Sequence, residues 1–271
     1  MNPLKSTSWL SENIGKVKIL DATWHMPNSN RNAFKEYQDN HIENSIFFDL
    51  DKNSNQKISL PHMLPESKEW EKIVSNLGIK NNDHIIIYDN SDVLSASRCW
   101  FTFLYFGHNQ NSVFVLDGGL KKWKEENRET VKSIINISKS KYFATENKKL
   151  VKSKIEIDQN ILEKKFKVID ARSKKRFEGK EAEQRKGLRS GSIPGSYCLP
   201  FRRLINDDNT FKKKDEIRLE FMNIINLKEN DIVFSCGSGI TASVLALAYS
   251  LINNKYSPTV YDGSWSEFGK E

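Results

Sequence analysis

Short apolar runs alternate along this chain with longer stretches that have helical spacing, and together they predict strands followed by helices. The runs lie at residues 17–23, 83–89, 115–119, 167–172, 231–236 and 260–264. Uninterrupted apolar runs of this length are typical of parallel strands that are buried on both faces. The pattern therefore predicts an α/β protein in which helices flank mostly parallel sheets.

The second half of the chain repeats the order of the first. Residues 17–23 and 167–172 are both apolar runs that end in Asp-Ala, and helical patterns follow the later runs at residues 95–106 and 241–252. Trp123 and Phe268 stand at matching offsets behind the last run of each half. This repeat predicts two small tandem α/β domains, residues 1–140 and 150–271.

The stretch from Glu125 to Lys154 separates the two repeats. It is rich in Lys, Asn and Ser, and Tyr142-Phe143 is its main apolar interruption. Such a composition is typical of an exposed linker, so we expect the boundary between the domains at residues 140–150.

Composition narrows the class of protein further. The 271 residues are 38% hydrophobic and 28% charged, which is typical of a globular protein with packed cores. The first 16 residues contain no continuous apolar segment, and the apolar stretch Ile240–Ile252 is too short to cross a bilayer. We therefore expect a cytoplasmic protein with no membrane partner.

The net charge of +7 does not by itself identify a partner. Lysines are scattered or occur in short runs such as 212–214, and no nucleic-acid motif accompanies them. We expect no nucleic-acid partner. The excess positive charge is compatible with a solvated surface and with attraction of small anions.

The loop after the run at 231–236 carries the strongest chemical signal. Cys236 stands at the end of a predicted strand, and Gly237 and Gly239 follow it before a helix that we expect to open at Thr241 or Ala242. Glycines permit a tight curl in which backbone N–H groups converge on the sulfur, and the helix adds its positive end. Such surroundings favour a thiolate and would stabilise a persulfide anion.

Cysteines have other common roles in proteins. A free cysteine is most often a small buried hydrophobe, which is our interpretation of Cys99 and Cys198 in their apolar settings. Three cysteines without CxxC spacing also indicate neither a disulfide framework nor a zinc site. A cysteine phosphatase needs an arginine six positions after its cysteine, where this chain has Ala242.

These motifs resemble those of 3-mercaptopyruvate sulfurtransferases within the rhodanese family. The resemblance rests on the loop 236–242 and on segments at residues 41–51, 62–65, 97–100, 116–120, 191–195 and 261–265. It implies two rhodanese-like domains, of which the first is catalytically silent and the second carries the Cys236 loop. It also implies a Cys236 persulfide and no cofactor or metal.

The resemblance further assigns residues around the sulfur. Arg176 and Arg185, nine positions apart, match the two arginines with which this family binds its donor. The remaining matches in the donor site and the loop are Asp49, His62, Ser238, Gly237, Gly239, Ile240 and Thr241. Asp49, His62 and Ser238 would then form a relay for the thiol proton, whereas the alternative for His62 is that it only satisfies a loop carbonyl.

The resemblance leaves the donor and the acceptor partly open. Gly237-Ser238 is small and neutral where thiosulfate-preferring rhodaneses commonly carry basic residues, which favours 3-mercaptopyruvate as the small anionic donor. Thiosulfate:cyanide sulfurtransferase is the alternative enzyme, and a non-catalytic persulfide carrier or docking module is the alternative of another class. The acceptor could be a small thiol, a thioredoxin-like protein or cyanide.

Overall fold

A computed structural model describes residues 2–226 and 231–271, which form two compact units. The first unit comprises Met1–Gln56, Leu64–Asn147 and Asp207–Thr210, and the second comprises Lys57–Met63, Lys148–Asn206 and Phe211–Glu271. Each unit thus includes one short segment from the half of the chain that mainly forms the other.

The first unit is a parallel sheet of five strands flanked by helices. Its strands are β1 (Leu4–Lys5), β2 (Lys18–Asp21), β3 (Ser45–Phe47), β4 (Ile85–Tyr88) and β5 (Val113–Leu116), and they lie in the order β1-β5-β4-β2-β3. Its helices are α1 (Thr7–Asn13), α2 (Ala33–Asp39), α3 (Ser67–Asn76), α4 (Ala96–Tyr105) and α5 (Gly119–Glu125). A 3₁₀ turn covers Pro27–Ser29.

The second unit has the same architecture. Its strands are β6 (Val151–Lys152), β7 (Lys167–Asp170), β8 (Tyr197–Cys198), β9 (Ile232–Ser235) and β10 (Val260–Tyr261), and they lie in the order β6-β10-β9-β7-β8. Its helices are α6 (Lys154–Glu163), α7 (Lys174–Phe177), α8 (Lys214–Met222), α9 (Ile240–Ile252) and α10 (Ser264–Phe268). Short 3₁₀ turns cover Lys148–Leu150 and Phe201–Leu204.

The two sheets confirm the repeat that the sequence predicts. Each sheet contains only parallel pairs among the described residues, and the strand orders are equivalent position by position. The central strands β4 and β9 are buried at every residue, which is the position that an apolar strand covered on both faces occupies.

Buried apolar side chains form a separate core in each unit. One cluster of the first unit includes Ile19, Ile86 and Trp123, and one of the second includes Val168, Val233 and Trp265. Trp123 and Trp265 thus occupy core positions on the helices that follow the last strand of each sheet. Burying such side chains contributes roughly 1.5–3 kcal/mol each.

The polar stretch between the repeats packs partly along the first unit instead of lying wholly exposed. Tyr142 is only 2% exposed, whereas Phe143 is largely exposed. The Ser140 N–H donates to the Ser75 carbonyl at 2.9 Å, and the Phe143 N–H donates to Asn81 Oδ1 at 2.9 Å. These bonds satisfy the backbone N–H groups of Ser140 and Phe143, and they hold this part of the stretch against the first unit.

No helix among the described residues is both long and apolar enough to span a membrane.

Candidate active site

The loop that follows β9 forms the centre of the candidate site. The chain leaves the sheet at Ser235, and α9 begins at Ile240, one residue before the predicted start. Gly239 precedes α9 with φ of 82°, a left-handed conformation that a residue with a Cβ adopts only at a cost. Four residues, Cys236, Gly237, Ser238 and Gly239, therefore make the whole turn from strand to helix.

The backbone N–H groups of this turn are available to a bound anion. Among the described residues, no protein acceptor is recorded for the N–H groups of residues 237–242. The first N–H groups of a helix have no partner within the helix, and they carry its positive end. Converging N–H groups of this kind stabilise negative charge on sulfur or oxygen.

Helix α10 and the residues at its start hold the turn in place. The Cys236 N–H donates to Ser264 Oγ at 3.1 Å, and the Trp265 N–H donates to the Cys236 carbonyl at 2.9 Å. Ser266 donates to the Gly237 carbonyl through its N–H at 2.9 Å and through its Oγ at 2.6 Å. Cys236 is 1% exposed, so its sulfur is reached only from within the site.

Arg176 and Arg185, which the family resemblance assigns to donor binding, both lie close to Gly237 in the turn. A Cβ added to Gly237 would lie 3.5 Å from Arg176 Nη2 and 3.5 Å from Arg185 Nη1. Gly237 thus leaves room that a side chain would fill between two guanidinium groups. A planar carboxylate is the ligand that such forked donors match best.

An ion-pair network lies behind the two arginines. Arg176 Nη2 donates to Glu183 Oε2 at 2.5 Å, and Arg172 Nη1 donates to Glu183 Oε1 at 2.6 Å. Arg172 also pairs with Asp170 at 2.7 Å. Burial opposes the charged form of Arg172, but the two carboxylates outweigh it and raise the pKa of its guanidinium.

Ser238 contacts His62, 176 positions earlier in the chain. His62 Nδ1 and Ser238 Oγ are 2.8 Å apart, both side chains are buried, and Arg185 Nη2 donates to Ser238 Oγ at 3.4 Å. His62 belongs to the Lys57–Met63 segment of the second unit and has a left-handed φ of 59°. The pairing is the one that a serine relay needs.

Asp49, the third residue assigned to the relay, belongs to the first unit. Its carboxylate accepts the Lys52 N–H at 3.0 Å and pairs with the Lys52 ammonium at 3.0 Å. The catalytic role of Asp49 stays a prediction.

The other two cysteines differ from Cys236 in their surroundings. Cys99 is buried on α4, and burial raises the pKa of its thiol well above the ordinary value. Burial also raises the pKa of Cys198 to about 11, and its thiol donates to the Arg172 carbonyl. Neither thiol is readily ionised at neutral pH.

The equivalent turn of the first unit holds a carboxylate in place of the thiol. The sheet register pairs Asp21 with Tyr88 and Asp170 with Ser235, so Asp89 stands at the position of Cys236. The Asp89 carboxylate accepts the N–H groups of Ser91 at 3.0 Å and Ala96 at 2.6 Å. In the first unit, N–H groups after the strand therefore bind the side chain of Asp89.

Sequence reasoning missed three residues that shape this site: Glu183, Ser264 and Ser266. Glu183 carried no signal beyond its place in a charged loop, because its partners emerge only when that loop folds. Ser264 lies in a segment that resembles the family, 261–265, and this was its only signal.

Among the described residues, no group of three His, Cys, Asp or Glu side chains could hold a metal ion.

Comparisons with known proteins agree with this fold. The rhodanese-like domain model matches residues 6–126 and 153–271. The thiosulfate/3-mercaptopyruvate sulfurtransferase 1, mitochondrial, of Arabidopsis thaliana is 37% identical, covering 99% of this chain and 76% of that protein. The thiosulfate sulfurtransferase of Rattus norvegicus is 35% identical, covering 98% and 91%.

A solved structure matches over nearly the whole length as well. SseA from Escherichia coli, a 3-mercaptopyruvate sulfotransferase with the rhodanese fold, has a TM-score of 0.87 and 30% identity. The match covers 98% of this chain and 100% of that one. With two tandem parallel sheets and a model match in both halves, this chain belongs to the rhodanese family.

Proposed function

We propose that this protein is a sulfurtransferase that takes sulfur from 3-mercaptopyruvate, carries it as a persulfide on Cys236 and passes it to a nucleophilic acceptor. The observation that carries the proposal is the meeting of Arg176 and Arg185 over Gly237, the residue next to the buried cysteine. This arrangement can hold the carboxylate and carbonyl oxygens of a 2-oxo acid beside a nucleophilic sulfur.

The reaction follows from these positions as a ping-pong sequence. The Cys236 thiolate attacks the donor sulfur, the carbon–sulfur bond breaks, and its electron pair leaves on carbon as the enolate of pyruvate. The two guanidinium groups stabilise that enolate. The thiol proton of the donor finally protonates the enolate carbon, so no external acid is required.

Ser238 and His62 are suited to hold that proton during transfer. Ser238 Oγ accepts from Arg185 and lies 2.8 Å from His62 Nδ1, so the hydroxyl can donate to the imidazole while it receives the thiol proton. Asp49 is proposed as the carboxylate that orients the imidazole. The loop N–H groups of residues 237–242 would then stabilise the persulfide anion.

The domain arrangement gives the two units different roles. We assign catalysis to the domain at 150–271 and propose that the domain at 1–140 is catalytically silent. The self-bound Asp89 carboxylate supports this, because it has no nucleophilic sulfur and occupies its own loop N–H groups.

Three kinds of nucleophile are candidate acceptors of the outer sulfur. A small thiol, a thioredoxin-like protein or cyanide would each remove the outer sulfur. We propose a cytoplasmic location, since the chemistry needs a reduced thiol. Fractionation of cells and detection of the protein would test this location, and a mitochondrial signal would contradict it.

Thiosulfate is the second candidate donor, and one observation favours it. The rat thiosulfate sulfurtransferase shares 35% identity with this chain over nearly the full length. Against it, Gly237 leaves a gap where a basic side chain could have added the positive charge that suits a dianion.

A donor comparison tests the proposal. We expect kcat/KM with 3-mercaptopyruvate to exceed that with thiosulfate by roughly tenfold or more under one acceptor, a difference of about 1.4 kcal/mol in transition-state binding. Cys236→Ser should abolish turnover with both donors.

Mass spectrometry of the donor-treated protein supplies the second readout, and one added sulfur on Cys236 is expected. Preference for thiosulfate would overturn the donor assignment. Added sulfur without turnover of either small donor would instead favour a persulfide carrier.

A further inference from the structure

Helix α10 binds two successive carbonyl groups of the turn between β9 and α9. The Cys236 carbonyl accepts the Trp265 N–H at 2.9 Å, and the Gly237 carbonyl accepts the Ser266 N–H at 2.9 Å. The Ser266 hydroxyl adds a second bond to the Gly237 carbonyl, at 2.6 Å. Ser266 is 2% exposed, so water competes poorly for this bond.

The direction of these two carbonyl groups decides the direction of the N–H groups that follow them. In a trans peptide unit, the C=O of one residue and the N–H of the next point in opposite directions. No peptide bond among the described residues is cis. The bonds from α10 therefore turn the N–H groups of Gly237 and Ser238 away from that helix. Successive N–H groups that point to one side form a concave set of donors that anions occupy.

The Ser266 hydroxyl also makes the Ser238 N–H a stronger donor. Two donors on the Gly237 oxygen draw electron density from the peptide group that Gly237 shares with Ser238, and hydrogen bonds linked in this way strengthen one another. The Cys236 carbonyl accepts one such bond among the described residues, from Trp265. The peptide group between Gly237 and Ser238 is therefore the more strongly polarised of the two.

The first unit contains the equivalent of the Trp265 bond. The Leu120 N–H donates to the Asp89 carbonyl at 2.9 Å, so Leu120 corresponds to Trp265. The next residue, Lys121, takes the place of Ser266. Because lysine has no hydroxyl, the first unit cannot form the second bond in the same way.

The carbonyl that follows Asp89 has a different partner as well. The Asn90 carbonyl, which corresponds to that of Gly237, accepts Arg31 Nη2 at 3.1 Å. Among the described residues, no bond from the backbone of Lys121 to this carbonyl is recorded. Of the two equivalent turns, the one that carries the thiol is thus the one whose second carbonyl accepts a buried hydroxyl.

We propose that Ser266 is a positioning residue for sulfur transfer, and that its hydroxyl directs and polarises the Ser238 N–H toward the anion that forms on the sulfur of Cys236. The inference rests on the proposed function for the persulfide that this N–H stabilises. Ser266 acts through the peptide group between Gly237 and Ser238, so it is not itself a catalytic residue.

The ionisation of Cys236 tests the inference without any sulfur donor. Alkylation by iodoacetamide, measured at Cys236 by mass spectrometry over a range of pH, follows the thiolate because the thiolate is the nucleophile. We expect Ser266→Ala to move the midpoint of this profile to higher pH by about 0.5 unit, since the anion loses part of one hydrogen bond.

Turnover supplies a second readout. With 3-mercaptopyruvate, kcat of Ser266→Ala should fall roughly fivefold, because the weakened N–H no longer stabilises charge on sulfur as well. KM should stay within about twofold, because the two arginines proposed to bind the donor are unchanged.

Ser196→Ala is the matched control. Ser196 donates to the Ile193 carbonyl through its N–H at 3.1 Å and through its Oγ at 2.6 Å, so it forms the same pair of bonds at another place in the second unit. Its alkylation profile should match that of the parent. Equal shifts in Ser196→Ala and Ser266→Ala would overturn the inference, because they would indicate a general loosening of the unit.

Ser266→Thr and Ser266→Val isolate the hydroxyl at nearly equal side-chain size, and they keep the test decisive should the Ala variant fail to fold. The Thr variant retains the donor, so we expect its midpoint to lie below that of the Val variant by about 0.5 unit. Equal midpoints in this pair, or an unshifted profile in folded Ser266→Ala, would overturn the inference.

The two readouts distinguish this inference from the proposed function. A shifted alkylation profile in a chain whose parent transfers sulfur from neither donor would refute the sulfurtransferase proposal and leave the role of Ser266 in the turn standing. Normal sulfur transfer beside an unshifted profile would refute the role of Ser266 alone.

Discussion

Asp21 and Asp170 occupy equivalent positions at the ends of β2 and β7, but their partners differ. Asp170 pairs with Arg172, whereas the position of that arginine in the first unit holds Thr23. Thr23 donates to Asp21 Oδ1 through its N–H at 3.0 Å and through its hydroxyl at 2.5 Å. Burial raises the pKa of Asp21 to about 6, although hydrogen bonds from Thr23 oppose the shift.

This raised pKa predicts a pH-dependent stability change in Asp21→Asn. The ordinary pKa of Asp in an unfolded chain is about 3.9, so between about pH 4 and pH 6 the folded state binds more protons than the unfolded state. The free energy of unfolding therefore falls as pH rises through that window. Removing the carboxylate should therefore stabilise the variant relative to the parent by about 2 kcal/mol more at pH 7 than at pH 4.

Urea unfolding of both proteins at the two pH values measures this gain. The difference in free energy of unfolding between the variant and the parent is compared at the two pH values, because the contributions of most other titrating groups cancel in it. A difference that is independent of pH would show that Asp21 does not carry a proton in the folded protein.

At the scale of elements, the turn between β9 and α9 depends on backbone shape more than on side chains. Its N–H groups converge only because Gly239 takes a φ of 82°, and α10 fixes the other edge through Trp265 and Ser266. A carboxylate in the first unit shows that this type of turn binds an anion, since Asp89 accepts two loop N–H groups.

Gly239→Ala should therefore reduce activity far more than it reduces stability. We expect a loss of roughly 1–2 kcal/mol in the free energy of unfolding from the left-handed φ, but a fall of roughly 100-fold in kcat/KM because loop N–H donors move.

Gly15→Ala is the matched control, with φ of 86° at an exposed position where an added Cβ meets nothing within 4 Å. It should lose similar stability and keep full activity. Equal loss of activity in both variants would indicate that strain alone, and not the geometry of the turn, reduces the rate.

At the scale of the whole molecule, the second unit is not built from the second half of the chain alone. The segment Lys57–Met63 belongs to it and brings His62 to Ser238. The segment Asp207–Thr210 belongs in turn to the first unit, where Asp208 pairs with Lys122 at 2.8 Å. The boundaries of the compact units therefore differ from those of the sequence repeat.

His62→Asn tests whether the contact between His62 and Ser238 serves catalysis. Asn tolerates the left-handed φ of 59°, so the substitution removes the imidazole with little backbone cost. Loss of a proton relay should lower kcat/KM with 3-mercaptopyruvate by roughly 100-fold, while Cys236 stays intact. His84→Asn, at an exposed position of the first unit, serves as the control. Unchanged turnover would mean that His62 has only a structural role in its loop.

Much of the architecture was predictable because it depends on local patterns. Buried parallel strands need continuous apolar runs, and those runs located β2, β4, β7 and β9 and indicated that one unit occurs twice. Gly237 and Gly239 marked the turn after Cys236, and Gly239 takes the left-handed φ that residues with a Cβ resist. The linker was predicted less well, because Tyr142 is buried by contacts that composition cannot indicate.

The sequence by itself determined the fold class, the repeat and the position of the cysteine turn, because strand burial and turn formation depend on neighbouring residues. Only the tertiary structure decided that His62 contacts Ser238, that Asp89 replaces Cys236 in the first unit, and that Glu183 joins Arg172 to Arg176. Those pairings depend on sheet register and on long-range packing, which bring together residues that no local pattern links.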